Sequence, residues 1–531
     1  MLKLKKKDIA VLSILFIILL FLIYNINMMI SPERKLIGQI PMTILNSIMI
    51  ICAISCLRSK SKFIFTISTL ITIIVFFDFI YIATFKSTIE SGNIASFFST
   101  NKRESFEFII SYWKPILLNL FFFVAFVYLV IKSTNNLSSS TYFSLTLICL
   151  LMVISTRGYN ATKAYTLYNK DDGKSYISFP DLLLENYKNG GYSMGFRTVF
   201  VLVSEFKNHN SMSSYIVQNR ETPFNRSKNN DIKHIILVIG ESSLRSRYSA
   251  YGYEENTTPF LNKKKESLIH DVISPAPVTA LALKQILTMS SPHYPQKWLK
   301  YKNIIELAND AGYETIWLSN NGTPLSTWDI GTTAIAKSSN KVDFKNSGEK
   351  DDLELIKELK NVINEKKYQF IILHLRGSHA AYNSKLSSDN IDKNALHKNY
   401  PGVEYDRTIH HTDRVLEQID SIVEKNKTPS IVYYLSDHGE IVNKGHGFIK
   451  GGKQQVEIPL VIINYNQNKN IKSLVESYRG QQGLLNTSST YQILSELMGY
   501  SVPKEIKKIE RNESYYIYHV NQIVYPYGKD I

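Results

Sequence analysis

The chain has 531 residues, too many for one compact domain, and its apolar residues, 44% of the total, crowd into the N-terminal part. A formal net charge of +15 suits a phosphate-bearing partner, and the apolar segments make that partner a membrane or a glycolipid surface, not nucleic acid. All three cysteines, Cys52, Cys56 and Cys149, lie in apolar stretches, which excludes a disulfide framework in the region after them.

Five apolar stretches, residues 9–30, 40–57, 63–85, 115–131 and 142–155, come near the length needed to cross a bilayer. The third carries Asp78 and the fifth is short. Lys3, Lys5, Lys6 and Lys7 precede the first stretch, and Arg58, Lys60 and Lys62 follow the second; the positive-inside rule puts both groups in the cytoplasm. An odd number of spans then leaves everything after residue 155 outside. No small-residue cleavage site follows the first stretch, so it reads as a retained anchor. Between the third and fourth spans, Ser96, Thr100 and Glu104 recur at helical spacing and would share one face above the membrane. The expected division is a transmembrane domain over 1–156, a connector over 157–230 with an interfacial helix near 196–206, and an outside domain over 231–531.

The run 234–239 is apolar, rich in β-branched residues and stopped by Gly240, as in a buried parallel strand. Glu241 and Ser242 would then stand at its carboxyl end, with Ser242 near the start of a helix whose N–H groups favour a phosphoryl group. Serine is a weak nucleophile without a base or metal beside it, and Glu241 offers a carboxylate for a metal. Further β-rich runs at 315–318, 370–375, 430–435 and 460–463 alternate with helical patterns at 303–311, 353–364 and 407–424. The expected fold is a mostly parallel sheet sandwiched by helices.

The run 430–435 ends in Ser436, Asp437, His438, Gly439 and Glu440, and the run 370–375 carries His374 and leads into Arg376, Gly377, Ser378 and His379. His446 follows in NKGHGF. Carboxylate oxygen with imidazole nitrogen is a ligand set that zinc accepts. A single one of these histidines fits a core position or a turn equally well. Together with Glu241 and Ser242, all at one sheet edge, they point to a metal-assisted site.

GES, GYEENTTP, HLRGSH, YDRTIHHTD and SDHGE, standing in that order behind five spans, resemble the membrane-bound phosphoethanolamine transferases of the alkaline phosphatase and sulfatase superfamily. The resemblance implies a multi-pass protein of the bacterial inner membrane with an alkaline phosphatase-like catalytic domain in the periplasm. It implies transfer of phosphoethanolamine from phosphatidylethanolamine to lipopolysaccharide through a phosphoenzyme on Ser242. It implies zinc on Glu241, Ser242, Asp437 and His438, one ion tightly bound with room for a second in turnover. His379 and His446 would line the phosphoethanolamine group or a second metal and shuttle the acceptor's proton. Thr100 and Glu104 match the family's membrane-proximal binding helix, and Ser96 stands where asparagine is common. The exported region departs from the lipid A branch in having no cysteine, in carrying PAPVTALALKQILT at 275–288, and in offering no clear substrate lysine in WLSNNGTPLS at 317–326. It looks closer to the cysteine-poor branch acting on a core heptose. Transfer to lipid A, phosphoglycerol transfer to a periplasmic glucan, a hydrolase and an inactive envelope scaffold are the alternatives.

Overall fold

The computed structural model of the protein describes residues 6–30, 36–90, 92–94, 102–134, 138–168, 187, 195–215, 220–226, 231–321, 330–344, 351–397, 399–467 and 470–528. The chain divides into two compact units, Met1–Ile94 with Tyr112–Lys207, and Ala95–Ser111 with Asn208–Ile531.

The apolar region folds into helices α1 (Lys6–Ile30), α2 (Leu36–Ser55), α3 (Lys62–Phe85), α4 (Lys102–Ser133) and α5 (Ser139–Tyr168), followed by α6 (Phe196–Tyr215). Each of α1 to α5 contains a segment long and apolar enough to cross a membrane, the fourth over Tyr112–Ser133 and the fifth over Ser139–Thr156. The structure thus extends α4 well before the expected span and carries it through Pro115. Asp78, an unfavourable residue in an apolar helix, is fully buried and partnered: it accepts the N–H of Gly195 at 2.7 Å and the hydroxyl of Thr198 at 2.5 Å. Beside it, Arg197 pairs with Glu90 at 2.5 Å and donates to the carbonyl of Ile89 at 2.9 Å. A charge in an apolar span is stable only with such partners, and these tie the start of α6 to α3.

The second unit is built on β1 (His234–Gly240), β2 (Leu268–Ile269), β3 (Glu314–Ser319), β4 (Lys341–Phe344), β5 (Gln369–His374), β6 (Ser430–Ser436) and β7 (Leu460–Tyr465). They form one sheet in the order β2-β7-β6-β1-β5-β3-β4. The pairs β6-β1, β1-β5, β5-β3 and β3-β4 are parallel, whereas β7 runs antiparallel to both β6 and β2. Side chains alternate across the sheet. Ile235, Leu237, Ile239, Phe370, Ile372, Tyr433 and Leu435 enter one core with Ile304, Ile305 and Leu307 of α8 (Ile304–Asp310). Ile236, Val238, Ile371, Leu373, Val432 and Tyr434 enter another with α9 (Leu353–Val362) and α10 (Val403–Lys425). Burial on both faces explains why these strands read as continuous apolar runs, and each fully buried Ile, Leu or Val contributes about 1.5–3 kcal/mol. A reciprocal cap starts α8: Asn303 accepts the N–H groups of Ile305 and Glu306, while Glu306 accepts that of Asn303.

Helix α10 also fastens the loop after β1. Asp413 accepts the N–H of Phe260 at 2.7 Å and of Leu261 at 3.1 Å, and burial raises its carboxyl to about 7. Asp413→Ala leaves two buried donors unmet and should cost about 2–4 kcal/mol. Thermal melting of the full chain in detergent checks this: the alanine variant should melt clearly below wild type, with Asp413→Asn, which keeps one acceptor, between them.

Candidate active site

Three neighbouring parallel strands, β6, β1 and β5, deliver their carboxyl ends to one edge of the sheet. Gly240 lies opposite Ser436, and Ile239 opposite His374, so the turns GES, SDHG and LRGSH start side by side. Adjacent parallel strands ending together are what gathers residues some 200 positions apart, since loops at that edge share one crevice.

At the first turn the backbone bends sharply. Ser242 adopts φ 56°, a left-handed conformation that a non-glycine residue holds only under constraint. The constraint is visible. Its N–H donates to Asp437 Oδ1 at 3.1 Å, its carbonyl accepts the Tyr405 hydroxyl at 2.7 Å, and that same hydroxyl accepts the Leu244 N–H at 2.7 Å. The Ser243 N–H donates to Ser436 Oγ at 2.9 Å. No α-helix begins here; a three-residue turn, Arg245–Arg247, is the first helical element. The helix end expected at Ser242 is therefore absent, and the N–H groups expected to face a phosphoryl group serve the protein's own side chains. Ser242 itself is fully buried, and its hydroxyl donates to Glu241 Oε1 at 2.8 Å.

Glu241, Asp437 and His438 offer three ligand atoms within 4.8 Å of one another, and all three residues are buried. His438 Nε2 lies 3.3 Å from Glu241 Oε1 and 3.4 Å from Asp437 Oδ2. Two observations fit this set to a cation. Asp437 Oδ2 is buried with no hydrogen-bond partner, an arrangement that a positive ion relieves. His438 Nδ1 lies 2.8 Å from the Gly439 carbonyl, which puts a proton on Nδ1 and turns Nε2 to the carboxylates. The charge pattern agrees. Burial raises the Asp437 carboxyl to about 7. Burial alone would lower His438, but the Asp437 and Glu241 carboxylates override it and push the imidazole up to about 10. Glu241, despite its burial, is held well below the usual carboxylate range by His438.

A hydroxyl does face this set, and it comes from elsewhere. Thr279 opens helix α7 (Thr279–Ile286), and its Oγ1 stands 3.2 Å from Glu241 Oε2 and 3.2 Å from His438 Nε2 while the residue stays partly exposed. Asn321 donates to the same Glu241 oxygen at 3.2 Å. The two further histidines close the group: the His446 ring is centred 4.1 Å from His438 and 5.6 Å from His379. Glu440 holds His446 Nδ1 at 2.7 Å and accepts the Tyr382 hydroxyl at 3.1 Å. Burial lowers His446 to about 3 and raises Glu440 to about 7. His379 Nδ1 lies 3.1 Å from the Ala380 carbonyl. His374 stays behind as a core histidine, buried and lowered to about 4 by that burial, with its ring against Trp317. Glu104 lies in the first turn of α4, whereas Ser96 and Thr100 lie outside the described residues.

Residues 233–492 match the sulfatase family. Phosphoethanolamine transferase EptC of Escherichia coli (strain K12) is 27% identical over 259 residues, 44% of this chain and 44% of that protein. Phosphoethanolamine transferase EptA of Helicobacter pylori (strain ATCC 700392 / 26695) is 28% identical over 275 residues, 47% of this chain and 51% of that protein. The matched region thus spans about half the length of these relatives. Among solved structures, the integral membrane lipooligosaccharide phosphoethanolamine transferase A of Neisseria meningitidis shares the fold with a TM-score of 0.61 at 17% identity, covering 94% of this chain and 97% of that one.

Within the sulfatase domain, sequence reading missed Thr279, Tyr405 and Gly377. Thr279 lies 38 residues from Glu241 and 159 from His438, and no local pattern in the sequence singled out its hydroxyl. Gly377, at φ 52°, has no room for a side chain: a Cβ would stand 2.6 Å from the Glu241 carbonyl oxygen and 2.7 Å from its nitrogen. Asp352 fixes this approach by accepting the N–H of Arg376 at 2.9 Å and of Gly377 at 3.0 Å. Gly377→Ala should therefore displace Glu241 and lower bound zinc per chain by more than about half; metal analysis of the purified full chain, with wild type and Gly312→Ala, a glycine with open space at its Cβ, as controls, reads the outcome.

Proposed function

We propose that the protein transfers phosphoethanolamine from phosphatidylethanolamine to lipopolysaccharide at the bacterial inner membrane, with its sulfatase domain in the periplasm. The observation that carries this reading is the Thr279 hydroxyl, 3.2 Å from both Glu241 and His438 and partly open to solvent. The likeness to phosphoethanolamine transferases over residues of this domain supports the choice of group transferred.

We place the nucleophile at Thr279 and not at Ser242. Ser242 is sealed from substrate and its proton is committed to Glu241, so its part is to orient that carboxylate. Glu241, Asp437 and His438 would hold zinc, which when bound would stabilise charge on phosphoryl oxygens and ease ionisation of a neighbouring hydroxyl. Thr279 Oγ1 forms a bond to phosphorus as the diacylglycerol oxygen leaves with a proton, giving a phosphoethanolamine ester on the protein. An acceptor hydroxyl then attacks the same phosphorus and gives its proton to His446 or His379, which returns one to Thr279 Oγ1 as the Thr279–phosphorus bond breaks, so that the Thr279 hydroxyl is restored. Glu440, holding Nδ1 of His446, fixes the direction in which that ring offers its other nitrogen.

For the acceptor we favour a core heptose over lipid A. The support is the absence of cysteine beyond Cys149, which leaves this domain without the disulfides that mark the lipid A branch. For the donor, Glu104 with Thr100 and Ser96 would meet the ethanolamine ammonium at the membrane.

Thr279→Ala should lower transfer by about a thousandfold or more, whereas Ser242→Ala should keep it within about tenfold, the effect of one hydrogen bond to a carboxylate. Mass spectrometry of lipid A and core, separately, from cells carrying each variant measures this; the reverse ranking would return the nucleophile to Ser242. Glu104→Ala should raise the KM for phosphatidylethanolamine by about tenfold and leave bound zinc unchanged, and an unchanged KM would remove Glu104 from the donor site.

A further inference from the structure

Between Glu440 and Val456 the chain runs through IVNKGHGFIKGGKQQ, a loop with Lys444, Lys450 and Lys453 and no acidic residue. All three lysines are exposed. The loop nonetheless has a defined path. Asn443, Gly445, Gly447, Lys450 and Gly452 all take positive φ, so the backbone curls repeatedly in a way most residues resist. Gln455, buried, closes the curl: its Oε1 accepts the Phe448 N–H at 2.7 Å and its Nε2 donates to the Phe448 carbonyl at 3.0 Å. Gly451 lies flat on that amide, with no space for a Cβ. The Gln455 carbonyl in turn accepts the Gly439 N–H at 2.9 Å, next to His438.

The lysines are placed as well as exposed. Lys444 Nζ lies 5.1 Å from the centre of the Phe448 ring, so its chain runs alongside the segment that carries His446. Lys453 Nζ lies 4.8 Å from the centre of the Tyr527 ring, and its Cε would be only 3.3 Å from a Cβ on Gly528. The nearby carboxylates are engaged: Glu440 turns inward to His446, and Glu457 accepts the Tyr527 hydroxyl. A fixed loop that bears three cations and no anion, and that also supplies a histidine to the reaction centre, is matched by an anionic group on whatever approaches that histidine.

We infer that the loop 441–455 is a rim that binds phosphate groups of the acceptor glycolipid beside His446. The inference rests on the transferase reading above and adds that the acceptor is recognised by phosphates it already carries. Three partly solvated lysine–phosphate pairs set the scale, and their strength falls as salt is added.

The test uses the full chain in detergent, as wild type and with Lys444→Gln, Lys450→Gln and Lys453→Gln combined. The probes are lipopolysaccharide with its phosphates intact and the same material stripped of phosphate. The combined variant should raise the KM for intact acceptor about tenfold at low salt, with the difference shrinking at high salt. Stripping the acceptor should raise the wild-type KM similarly and abolish the difference between the two proteins. The corresponding triple Lys→Arg variant should behave as wild type. An unchanged KM, or an equal rise on stripped acceptor, overturns the inference; so does loss of binding to phosphatidylglycerol vesicles with acceptor KM unchanged, which would make the loop a membrane contact. Diacylglycerol release from phosphatidylethanolamine by wild type is followed in parallel. If there is none, the transferase reading fails, and equilibrium binding of the two lipopolysaccharide preparations decides the rim alone: weaker binding of intact material by the variant supports it, equal binding refutes it.

Discussion

Two carboxylates, Glu241 and Asp437, are buried beside a single imidazole, and the rest of the site follows from that imbalance of charge. Removing a carboxylate from water costs several kcal/mol unless donors or opposite charge meet it. Glu241 is met on both oxygens, by Ser242 and His438 at Oε1 and by Thr279 and Asn321 at Oε2. Asp437 is met on one, where Oδ1 takes the N–H groups of Ser242 and His438 while Oδ2 takes none. A proton shared with His438 relieves the cluster partly. A divalent cation relieves it more fully, and it does so within reach of the partly exposed hydroxyl of Thr279.

The motifs that carry the resemblance are largely mechanical. In YDRTIHHTD, Tyr405 spans the carbonyl of Ser242 and the N–H of Leu244, Asp406 pairs with Arg247 and accepts the Tyr253 hydroxyl at 2.9 Å, and Asp413 caps the turn at Phe260. In GYEENTTP, Thr257 and Thr258 accept the N–H groups of Ser249 and Ala250 at 3.0 and 2.9 Å. One helix thus grips the chain from Ser242 to Leu261 at three points. The left-handed residue at the turn stores about 1–3 kcal/mol of strain, which is small against the burial of seven consecutive residues of β1.

The strands β1, β3, β5, β6 and β7 were legible in the sequence because they are largely buried on both faces, so that neither amphipathic alternation nor helical period competes with the strand reading, whereas the short edge strands β2 and β4 were not. The grouping of Glu241, Asp437, His438, His379 and His446 was legible for the same reason, since parallel strands put their loops at one edge. Which hydroxyl stands open was not. Ser242 follows Glu241 directly and read as a serine near a helix start, but tertiary bonds from Asp437 and Tyr405 turn it inward, and nothing local to GES announces them. Thr279 sits in a segment that reads as an ordinary apolar helix start. Asp78 likewise weakened the third span because its partners, Gly195 and Thr198, lie more than 100 residues away.

Gly377 and Ser242 show how backbone conformation, not side-chain chemistry alone, defines this centre. Gly377 takes a positive φ that brings its Cα against Glu241, and the Ser378 N–H then donates to the Glu241 carbonyl at 2.8 Å. Ser242 takes a positive φ on the other side of the same residue. Glu241 is therefore clamped on two sides, by the strained backbone of Ser242 and by the close approach of Gly377, each held by a buried carboxylate, Asp437 for the first and Asp352 for the second. A carboxylate so fixed has little freedom to follow an ion or a phosphoryl group as charge moves. Thr279 enters from a separate helix and meets the cluster through its hydroxyl, outside this clamp, and that placement is what the proposed nucleophile role rests on.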